Sequence, residues 1–236
     1  MKELLVCGKN SVIDAYNSDI KIKKILISNK ENMKMFDNKK VLVEVKDNAF
    51  LNKLTNDNHQ GFVALIEELA YRDIEYLIKN KPNIVLVLDK IQDPHNLGAI
   101  LRTANASGVK HIIFPKEHSA SINSTSLKVS SGGFVGMNFY RVNSLSATIT
   151  KLKKAGYWIY ATALDEQAVP HTKVNYNDPT VIVVGNEGDG VSKSVLSVSD
   201  TKVYINQRGS VQSLNVSVAT GIILFDYLAK YEKDKN

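Results

Sequence analysis

From residue 84 onward, the chain contains short, uninterrupted apolar runs separated by stretches with helical spacing. These runs cover residues 84–88, 109–114, 158–162 and 181–184. Apolar runs of this length without polar alternation are typical of strands in a parallel sheet that is covered on both faces. The second part of the chain is therefore predicted to be an α/β domain, a class that binds ligands where strands end and helices begin.

The first part of the chain alternates between helix and strand signals. Residues 10–16 and 49–54 are predicted to be helical, and residues 22–28, 41–45 and 62–66 to be strands. A charged stretch follows and ends at Lys81-Pro82-Asn83. We therefore predict a small amino-terminal α/β domain at residues 1–68, a linker at 69–83 and a second domain at 84–236.

Composition limits the classes of protein to which the chain can belong. The 236 residues include 44% hydrophobic residues, enough for an ordinary core. The single cysteine, Cys7, excludes an internal disulfide and a thiol-only metal site, and the five histidines show no metal-ligating spacing, so no metal is predicted. The apolar start of the chain is too short for a signal peptide, and no apolar run approaches the roughly 20 residues of a membrane span. These features predict a cytoplasmic protein without a membrane partner.

Basic residues outnumber acidic residues by 30 to 24, and the formal net charge is +6. Lysines crowd the first part of the chain, at Lys21, Lys23, Lys24, Lys30, Lys34, Lys39 and Lys40. Such lysines form either a solvated surface or a face that contacts phosphates. The charge fits a polyanionic partner such as nucleic acid, although many unrelated soluble proteins are equally basic.

Three strand-to-helix junctions in the second domain carry polar residues, and the first follows the run at 84–88. Asp93-Pro94 predicts a helix start, because a capping side chain precedes a proline in the first turn. The apolar residues at helical spacing beyond it are Leu97, Leu101 and Ala104. Arg102 is offset from these core positions. Asn96 and Arg102 are therefore either ordinary polar residues of an amphipathic helix or groups that face a ligand.

The second junction is Gly185-Asn186-Glu187-Gly188-Asp189-Gly190, directly after the run at 181–184. Glycines let a backbone approach a ligand closely or take positive φ. The spacing differs from the G-x-G-x-x-G pattern of dinucleotide-binding proteins, which argues against an oxidoreductase of that class. The segment is either a glycine-rich turn or a ligand loop in which Glu187 is available to a ligand or an arginine.

The third junction joins a predicted strand at 203–205 to a carboxy-terminal helix. Ser213 and Asn215 lie at the start of that helix, where small polar side chains cap free backbone N–H groups. Helical spacing predicts a core-facing stripe made of Leu214, Val218, Ile222, Phe225 and Ala229. Capping alone explains the two polar residues, but three such junctions in this order are typical of a functional site.

Together the three segments resemble the SpoU (TrmH-like) family of the SPOUT superfamily, which are RNA ribose 2′-O-methyltransferases that use S-adenosyl-L-methionine. The matching motifs are Asp93-Pro-x-Asn96-x-Gly98-x-x-x-Arg102, Gly185-Asn-Glu187-Gly188-x-Gly190 and Ser213-Leu214-Asn215-Val216-Ser217. The resemblance covers residues 84–230. The first part of the chain is similar to the small RNA-binding domain of many members, with His59-Gln60-Gly61 as its best match.

The resemblance implies an α/β fold with a carboxy-terminal trefoil knot, and a homodimer with the knot helices at the interface. It places Arg102 beside the ribose hydroxyl, where the arginine would stabilise the alkoxide or hold the adjacent phosphate. The residues that would position Arg102 and the ribose are Asn96, Glu187, Ser213 and Asn215. The residues that would hold the cofactor, largely through the main chain, are Gly185, Ile205 and Leu214, with Thr162 lining the same pocket.

The amino-terminal domain favours large-subunit ribosomal RNA as the substrate, with guanosine as the favoured nucleotide, over transfer RNA. A non-catalytic RNA-binding relative is the alternative from another class. It is supported by Asn206-Gln207, because family members usually have proline and methionine there, in the loop expected to wrap the cofactor adenine. Gly132-Gly133, where a glycine-alanine pair is more common, is a smaller departure.

Overall fold

The computed structural model describes residues 3–37, 41–56, 58–186, 188–211 and 213–233. Within these ranges the chain forms two sheets, of four strands and seven strands. Lys39 and Lys40, two of the lysines noted in the sequence, lie outside the described residues. No helix among the described residues is long and apolar enough to cross a membrane.

The four-stranded sheet forms in the first part of the chain and has the strand order β1-β4-β2-β3. Its strands are β1 (Glu3–Cys7), β2 (Ile22–Ile27), β3 (Leu42–Val45) and β4 (Phe62–Glu67). The accompanying helices are α1 (Lys9–Asn17), α2 (Asn48–Leu54) and a 3-10 helix at Lys30–Phe36. Both predicted helices and all three predicted strands of this region are present. The sequence reasoning missed β1, which pairs antiparallel with β4 and buries Leu4 and Val6.

The seven-stranded sheet has the order β7-β6-β5-β10-β8-β11-β9, and all of its pairs within the described residues are parallel. Its strands are β5 (Ile84–Asp89), β6 (His111–Pro115), β7 (Asn138–Val142), β8 (Trp158–Thr162), β9 (Val169–Pro170), β10 (Thr180–Gly185) and β11 (Thr201–Tyr204). The helices around it are α3 (Ile74–Asn80), α4 (Pro94–Ala106), α5 (Ser124–Ser130), α6 (Leu145–Lys154), α7 (Lys193–Leu196) and α8 (Val216–Lys233), with a 3-10 helix at His171–Lys173.

The centre of this sheet confirms the strand prediction. Every residue of β10 is buried, and so are five of the six residues of β5, as expected for strands covered on both faces. Although β10 forms late in the chain, it lies between β5 and β8. Parallel pairing therefore brings the carboxyl ends of β5, β10, β8 and β11 to one edge of the sheet.

Helix α4 begins as the sequence predicts. The Asp93 carboxylate accepts a hydrogen bond from the backbone N–H of His95 at 2.8 Å, and Pro94 occupies the first helical position. Leu97, Leu101 and Ala104 are buried, whereas Arg102 is exposed. Arg102 therefore points out of the core.

The predicted core face of the carboxy-terminal helix is wrong. Val218, Phe225 and Ala229 are exposed, while Leu214 and Ile222 are only partly buried, and Leu214 precedes the helix. The buried positions of α8 are Val216, Thr220, Ile223, Leu224 and Tyr227.

The reason for this error is that a polar residue, Thr220, is fully buried on α8, so the spacing of apolar residues alone does not identify the buried face. The Thr220 hydroxyl donates to the carbonyl of Val216 at 2.7 Å, which satisfies it inside the core. Gly221 faces α4, since a Cβ there would lie 3.4 Å from a methyl group of Thr103, an ordinary van der Waals distance. The stripe that contains Val218 and Phe225 faces outward instead.

The segment at residues 69–83 packs on the second sheet. Tyr71 forms a parallel β-bridge with Phe139, and Leu77 of α3 is fully buried among residues of that sheet. A single hydrophobic cluster also extends from Val12 and Tyr16 on α1 to Leu97 on α4. The small sheet is therefore joined to the larger one by shared apolar packing.

Candidate active site

A cavity of about 480 Å³ lies at the edge where the parallel strands end. Thr162 lines it from the end of β8, and Gly185 from the end of β10. Ile205 lines it just after β11, and Leu214 just before α8. The four residues predicted to bind a cofactor thus come together from four separate segments.

The walls of this cavity combine apolar and polar groups. The apolar lining residues include Val184, Val191, Leu196, Val203, Val216 and Ala219. The polar lining residues include Asp165, Asn186, Asp189, Gln207 and Ser213. A concave, largely apolar site of this volume with a few polar groups suits a ligand of nucleoside size.

The glycine-rich loop beside the cavity folds back on itself. Oδ1 of Asn186 accepts hydrogen bonds from the backbone N–H groups of Gly188 and Asp189, at 2.9 and 2.8 Å. Gly185 must be glycine, because a Cβ there would lie 1.9 Å from the carbonyl carbon of Gly190. Glu187, which the sequence singled out, lies outside the described residues.

Two acidic residues that the sequence reasoning did not single out help to build this site. Asp89 at the end of β5 is only 2% exposed and accepts a hydrogen bond from the backbone N–H of Ser192 at 2.7 Å, which ties the end of the glycine-rich loop to the sheet. Asp165 at the cavity wall forms an ion pair with Lys202 at 2.6 Å. This hydrogen-bonded lysine lowers the pKa of Asp165. Asp89 could have been singled out from the sequence, because it is an acidic residue directly after the apolar run at 84–88.

Asn215 connects two helices at the other side of the cavity. Its Oδ1 accepts from the backbone N–H of Ser217 at 2.9 Å and so caps α8, as predicted. Its Nδ2 donates to Oδ1 of Asn96 in the first turn of α4, at 3.0 Å. Two of the five residues predicted to form the catalytic group are therefore in direct contact, and another, Ser213, lines the cavity.

Arg102 does not line this cavity. It lines a second cavity, of about 500 Å³, between α1 of the first sheet and the turn that follows α5. The backbone of that turn packs tightly on α4, because a Cβ on Gly133 would lie 2.7 Å from the Cα of Arg102. Asn96, by contrast, is tied to the first cavity through Asn215.

No group of three or more His, Cys, Asp or Glu side chains is arranged to hold a metal ion in the described part of the chain. The side chains that do converge at the carboxyl edge of the sheet are two carboxylates, Asp165 and Asp189, together with amides, hydroxyls and apolar groups. Such a lining binds an organic ligand through hydrogen bonds and apolar contact.

The parallel sheet, the cavity at its carboxyl edge and the attached small α/β sheet define a two-part α/β protein with a nucleoside-sized ligand site. The chain belongs to the SpoU rRNA methylase family, whose model matches residues 83–225. Residues 5–72 match the model for RNA 2′-O ribose methyltransferase substrate binding. The protein is thus an RNA methyltransferase of the SpoU/TrmH type, and the resemblance seen in the sequence is confirmed.

Relatives and solved structures agree with this family. A Staphylococcus saprophyticus protein named for the TrmH family of tRNA/rRNA methyltransferases is 35% identical over 98% of this chain and 97% of its own length. The AdoMet-bound rRNA methyltransferase of Sinorhizobium meliloti has a TM-score of 0.83 and 28% identity, over 95% of this chain and 86% of that one. A TrmH/SpoU tRNA modifying enzyme from A. aeolicus has a TM-score of 0.60 and 32% identity, over 69% of this chain and 86% of that one.

Proposed function

We propose that this protein transfers a methyl group from S-adenosyl-L-methionine to the 2′-hydroxyl of a ribose in large-subunit ribosomal RNA, with guanosine as the favoured nucleotide. The observation that carries the proposal is the convergence of Thr162, Gly185, Ile205 and Leu214 on one cavity at the carboxyl edge of the parallel sheet. The resemblance implies cofactor binding by these residues, which lie far apart along the chain and line the same cavity.

The cavity residues fit the proposed cofactor. A volume of about 480 Å³ lies within the range of ligand pockets for molecules of this size. The main chain at Gly185, Ile205 and Leu214 would hydrogen-bond the adenosine part, and Leu196 and Val203 would supply apolar contact. When bound, S-adenosyl-L-methionine supplies a methyl group on a sulfonium, which is already a good donor. The Sinorhizobium meliloti neighbour, described as AdoMet bound, supports this assignment.

The residues of this chain would then act on the acceptor. A ribose hydroxyl is a poor nucleophile until its proton is removed or its developing charge is stabilised. We assign Arg102 the role of stabilising that charge or of binding the adjacent phosphate, because a guanidinium stays protonated and presents several N–H donors in one plane. Asn96, Glu187, Ser213 and Asn215 are assigned to positioning the arginine and the ribose.

The exposed face of α8 supports a homodimer. Val218 is 51% exposed and Phe225 is 47% exposed, and both lie on the outward stripe of that helix. A row of large apolar side chains on a long helix is typical of a protein–protein interface. The trefoil knot that the resemblance implies remains a prediction for the same region.

Ribosomal RNA is favoured over transfer RNA because the chain carries the substrate-binding segment that matches residues 5–72. Transfer RNA is the second candidate substrate, since the A. aeolicus tRNA modifying enzyme matches 69% of this chain. The non-catalytic alternative is supported by Asn206-Gln207 in the loop next to Ile205.

The domain boundaries 1–68, 69–83 and 84–236 remain predictions, and the matched segments at 5–72 and 83–225 support them. A cytoplasmic location also remains a prediction.

Ribose-methylation mapping tests the proposal most directly. Total RNA from cells with and without the protein should differ at one or a few riboses, and those riboses should lie in large-subunit ribosomal RNA. Purified protein should restore methylation to the unmodified RNA only when S-adenosyl-L-methionine is added. A difference confined to transfer RNA would select the second candidate. Absence of any difference, together with absence of cofactor binding by calorimetry, would select the non-catalytic alternative.

A further inference from the structure

The second cavity, which contains Arg102, lies between α1 and α4 and shares no lining residue with the cavity at Gly185. Its volume is about 500 Å³, enough for one nucleotide. One wall is the carboxy-terminal end of α1, with Asp14, Asn17 and Ser18. The other wall is α4 with Arg102, and the floor is the turn after α5. The cavity therefore joins the substrate-binding segment to the segment that carries the proposed catalytic arginine.

Asp14 and Arg102 line this cavity with opposite charges and are both exposed. Neither forms an ion pair or a side-chain hydrogen bond with any described residue. A carboxylate and a guanidinium that share a cavity without pairing leave their full hydrogen-bonding capacity for a ligand. The ligand that satisfies both has an anionic or hydroxyl-rich part and a part that donates hydrogen bonds.

The floor keeps these two side chains accessible. Gly132 has φ of +86°, and a Cβ there would lie 3.0 Å from Oδ2 of Asp14. Gly133 lies against the backbone of Arg102 at a distance that excludes a Cβ. Larger residues at either position would fill the space between the walls. The two glycines thus leave the space between Asp14 and Arg102 free of side-chain atoms from the floor.

The side chains on α1 match a base edge. Asp14 and Asn17 are three residues apart on a helix, so they lie on the same face. A carboxylate only accepts hydrogen bonds, whereas an amide both donates and accepts. The Watson–Crick edge of guanine presents two adjacent donors, N1–H and N2–H, next to the acceptor O6. Uracil presents one donor between two acceptors and would place an oxygen against the carboxylate.

Taking RNA as the ligand, which rests on the proposed function, we infer that this cavity holds a guanosine of the RNA strand next to the methylated ribose. Asp14 accepts from N1–H and N2–H, Asn17 donates to O6, and Arg102 faces the sugar-phosphate side. Single-stranded RNA is commonly recognised in this way, through splayed bases read on their Watson–Crick edges. Asp14 is thereby a specificity-determining residue, since it selects the base without touching the reacting oxygen.

A binding experiment without cofactor tests this role independently of methyl transfer. The probes are fluorescent nine-nucleotide single strands of uridine that carry guanosine, inosine or uridine at the central position. Inosine lacks only the N2 amino group. The full-length protein should bind the guanosine strand about tenfold more tightly than the uridine strand, with the inosine strand between them. Asp14→Ala should bind all three strands equally, at the affinity of the uridine strand.

Asp19→Ala is the matched control, because Asp19 is an exposed aspartate just beyond α1 that does not line the cavity. It should keep the preference for guanosine. Two results would overturn the assignment: equal binding of the three strands by the wild-type protein, or a uniform gain of affinity in Asp14→Ala, which would mean that the carboxylate only repels phosphates. The binding result does not depend on methyl transfer. If the protein prefers guanosine but transfers no methyl group, the proposed reaction is wrong and the assignment of Asp14 stands.

Discussion

The side-chain amide of Asn215 donates a hydrogen bond to Oδ1 of Asn96 across 3.0 Å and so joins the first turns of α8 and α4. The Oδ1 atom of the same asparagine accepts from the backbone N–H of Ser217 at 2.9 Å and caps α8. One side chain therefore begins one helix and fixes the start of another. Because a cap needs only an oxygen, whereas the bridge needs the amide, mutation can separate the two roles.

Asn215→Ala removes both the cap and the bridge. We expect a loss of about 1 kcal/mol in the free energy of unfolding and a slower methyl transfer. Asn215→Ser keeps a capping oxygen but is too short to reach Asn96, so its stability should stay within about 0.5 kcal/mol of wild type while transfer is equally slow. Urea denaturation and single-turnover assays measure the two effects. Full activity of Asn215→Ser would show that the bridge has no role in positioning.

Arg102→Ala should abolish methyl transfer and leave the fold and cofactor binding largely intact. The side chain is exposed and lies outside the cavity lined by Gly185, so its removal disturbs neither the core nor that site. Loss of a donor that stabilises developing charge lowers turnover by about 100-fold or more. Arg102→Lys should also transfer methyl groups slowly, because an ammonium does not reproduce the planar arrangement of guanidinium N–H donors.

Three measurements check this prediction for Arg102. Transfer of a labelled methyl group reports activity, calorimetry with S-adenosyl-L-methionine reports cofactor binding, and thermal melting reports stability. Lys154→Ala serves as the control, because Lys154 is an exposed cation on α6 that lines neither cavity. It should behave like wild type in all three measurements. Near-normal turnover of Arg102→Ala would remove the arginine from the mechanism.

Deletion of the amino-terminal segment should leave a stably folded second domain only if the deletion ends before Tyr71. The predicted linker at 69–83 would permit a cut after residue 80. However, Leu77 is fully buried beneath the second sheet, and the ring of Tyr71 packs edge-on against that of Phe114, with 5.9 Å between the ring centroids. A fragment of residues 69–236 keeps these contacts, whereas a fragment of residues 81–236 loses them. We expect the shorter fragment to be less stable by about 2–5 kcal/mol, the usual effect of losing a large buried side chain.

Both fragments should lose most of their affinity for RNA, and the affinity that full-length protein shows should fall steeply as salt rises. Urea denaturation compares the two fragments with each other, since both expose the face that packs on the small sheet. Equal stability of the two would show that α3 contributes little. Unchanged RNA affinity would assign recognition to the second domain instead of the first.

The sequence predicted the elements of this fold better than their arrangement. Buried runs such as 181–184 identify strands because their apolar character is local, and Asp93-Pro94 identifies a helix start for the same reason. The insertion of β10 between β5 and β8 depends on long-range pairing, which has no local signal. The convergence of residues such as Gly185 on one cavity agrees with the motifs that the resemblance supplied, whereas their roles in binding stay predictions. The separate cavity of Arg102 was not, because it depends on how α1 packs against α4.

The stability of the protein should fall as pH decreases through the range in which His111 titrates. Burial, together with the nearby cations Arg72 and Lys110, lowers the pKa of His111 to about 4. Its Nδ1 lies 2.8 Å from the hydroxyl of Tyr140. In the unfolded chain a histidine titrates near about 6.5. Between about pH 6.5 and pH 4 the unfolded state therefore binds a proton that the folded state does not, which favours unfolding.

Melting temperatures measured between about pH 7 and pH 4.5 check this dependence. His111→Asn replaces the ring with a polar group that does not titrate, so its melting temperature should fall less over that range than that of wild type. His118→Asn is the control, because His118 is exposed and has φ of +56°, a conformation that asparagine tolerates. It should follow the wild-type curve, and an identical curve for His111→Asn would assign the acid sensitivity to other groups.

Asn206→Pro should tighten cofactor binding. Asn206 is exposed and directly follows Ile205, which lines the cavity at Gly185. If main-chain groups at Ile205 and Leu214 hold the adenosine, the side chain at 206 contributes little to the contact. Proline has no N–H and fixes φ near −65°, so it restricts the free loop without removing a side-chain partner. A restriction of this kind is worth about 0.4–1 kcal/mol, or a roughly two- to fivefold lower Kd.

Calorimetric titration of S-adenosyl-L-methionine into wild type, Asn206→Pro and Asn206→Ala measures the effect. The alanine variant loses the asparagine side chain without restricting the backbone, so it separates these two causes. Asn206→Ala should bind like wild type, and only the proline variant should bind more tightly. Weaker binding by Asn206→Pro would mean that the backbone N–H of residue 206, or a φ that proline does not adopt, is needed in the bound loop. No binding by wild type at about millimolar cofactor with RNA present, but binding by the proline variant, would show that Asn206 has converted a methyltransferase site into one that no longer holds its cofactor.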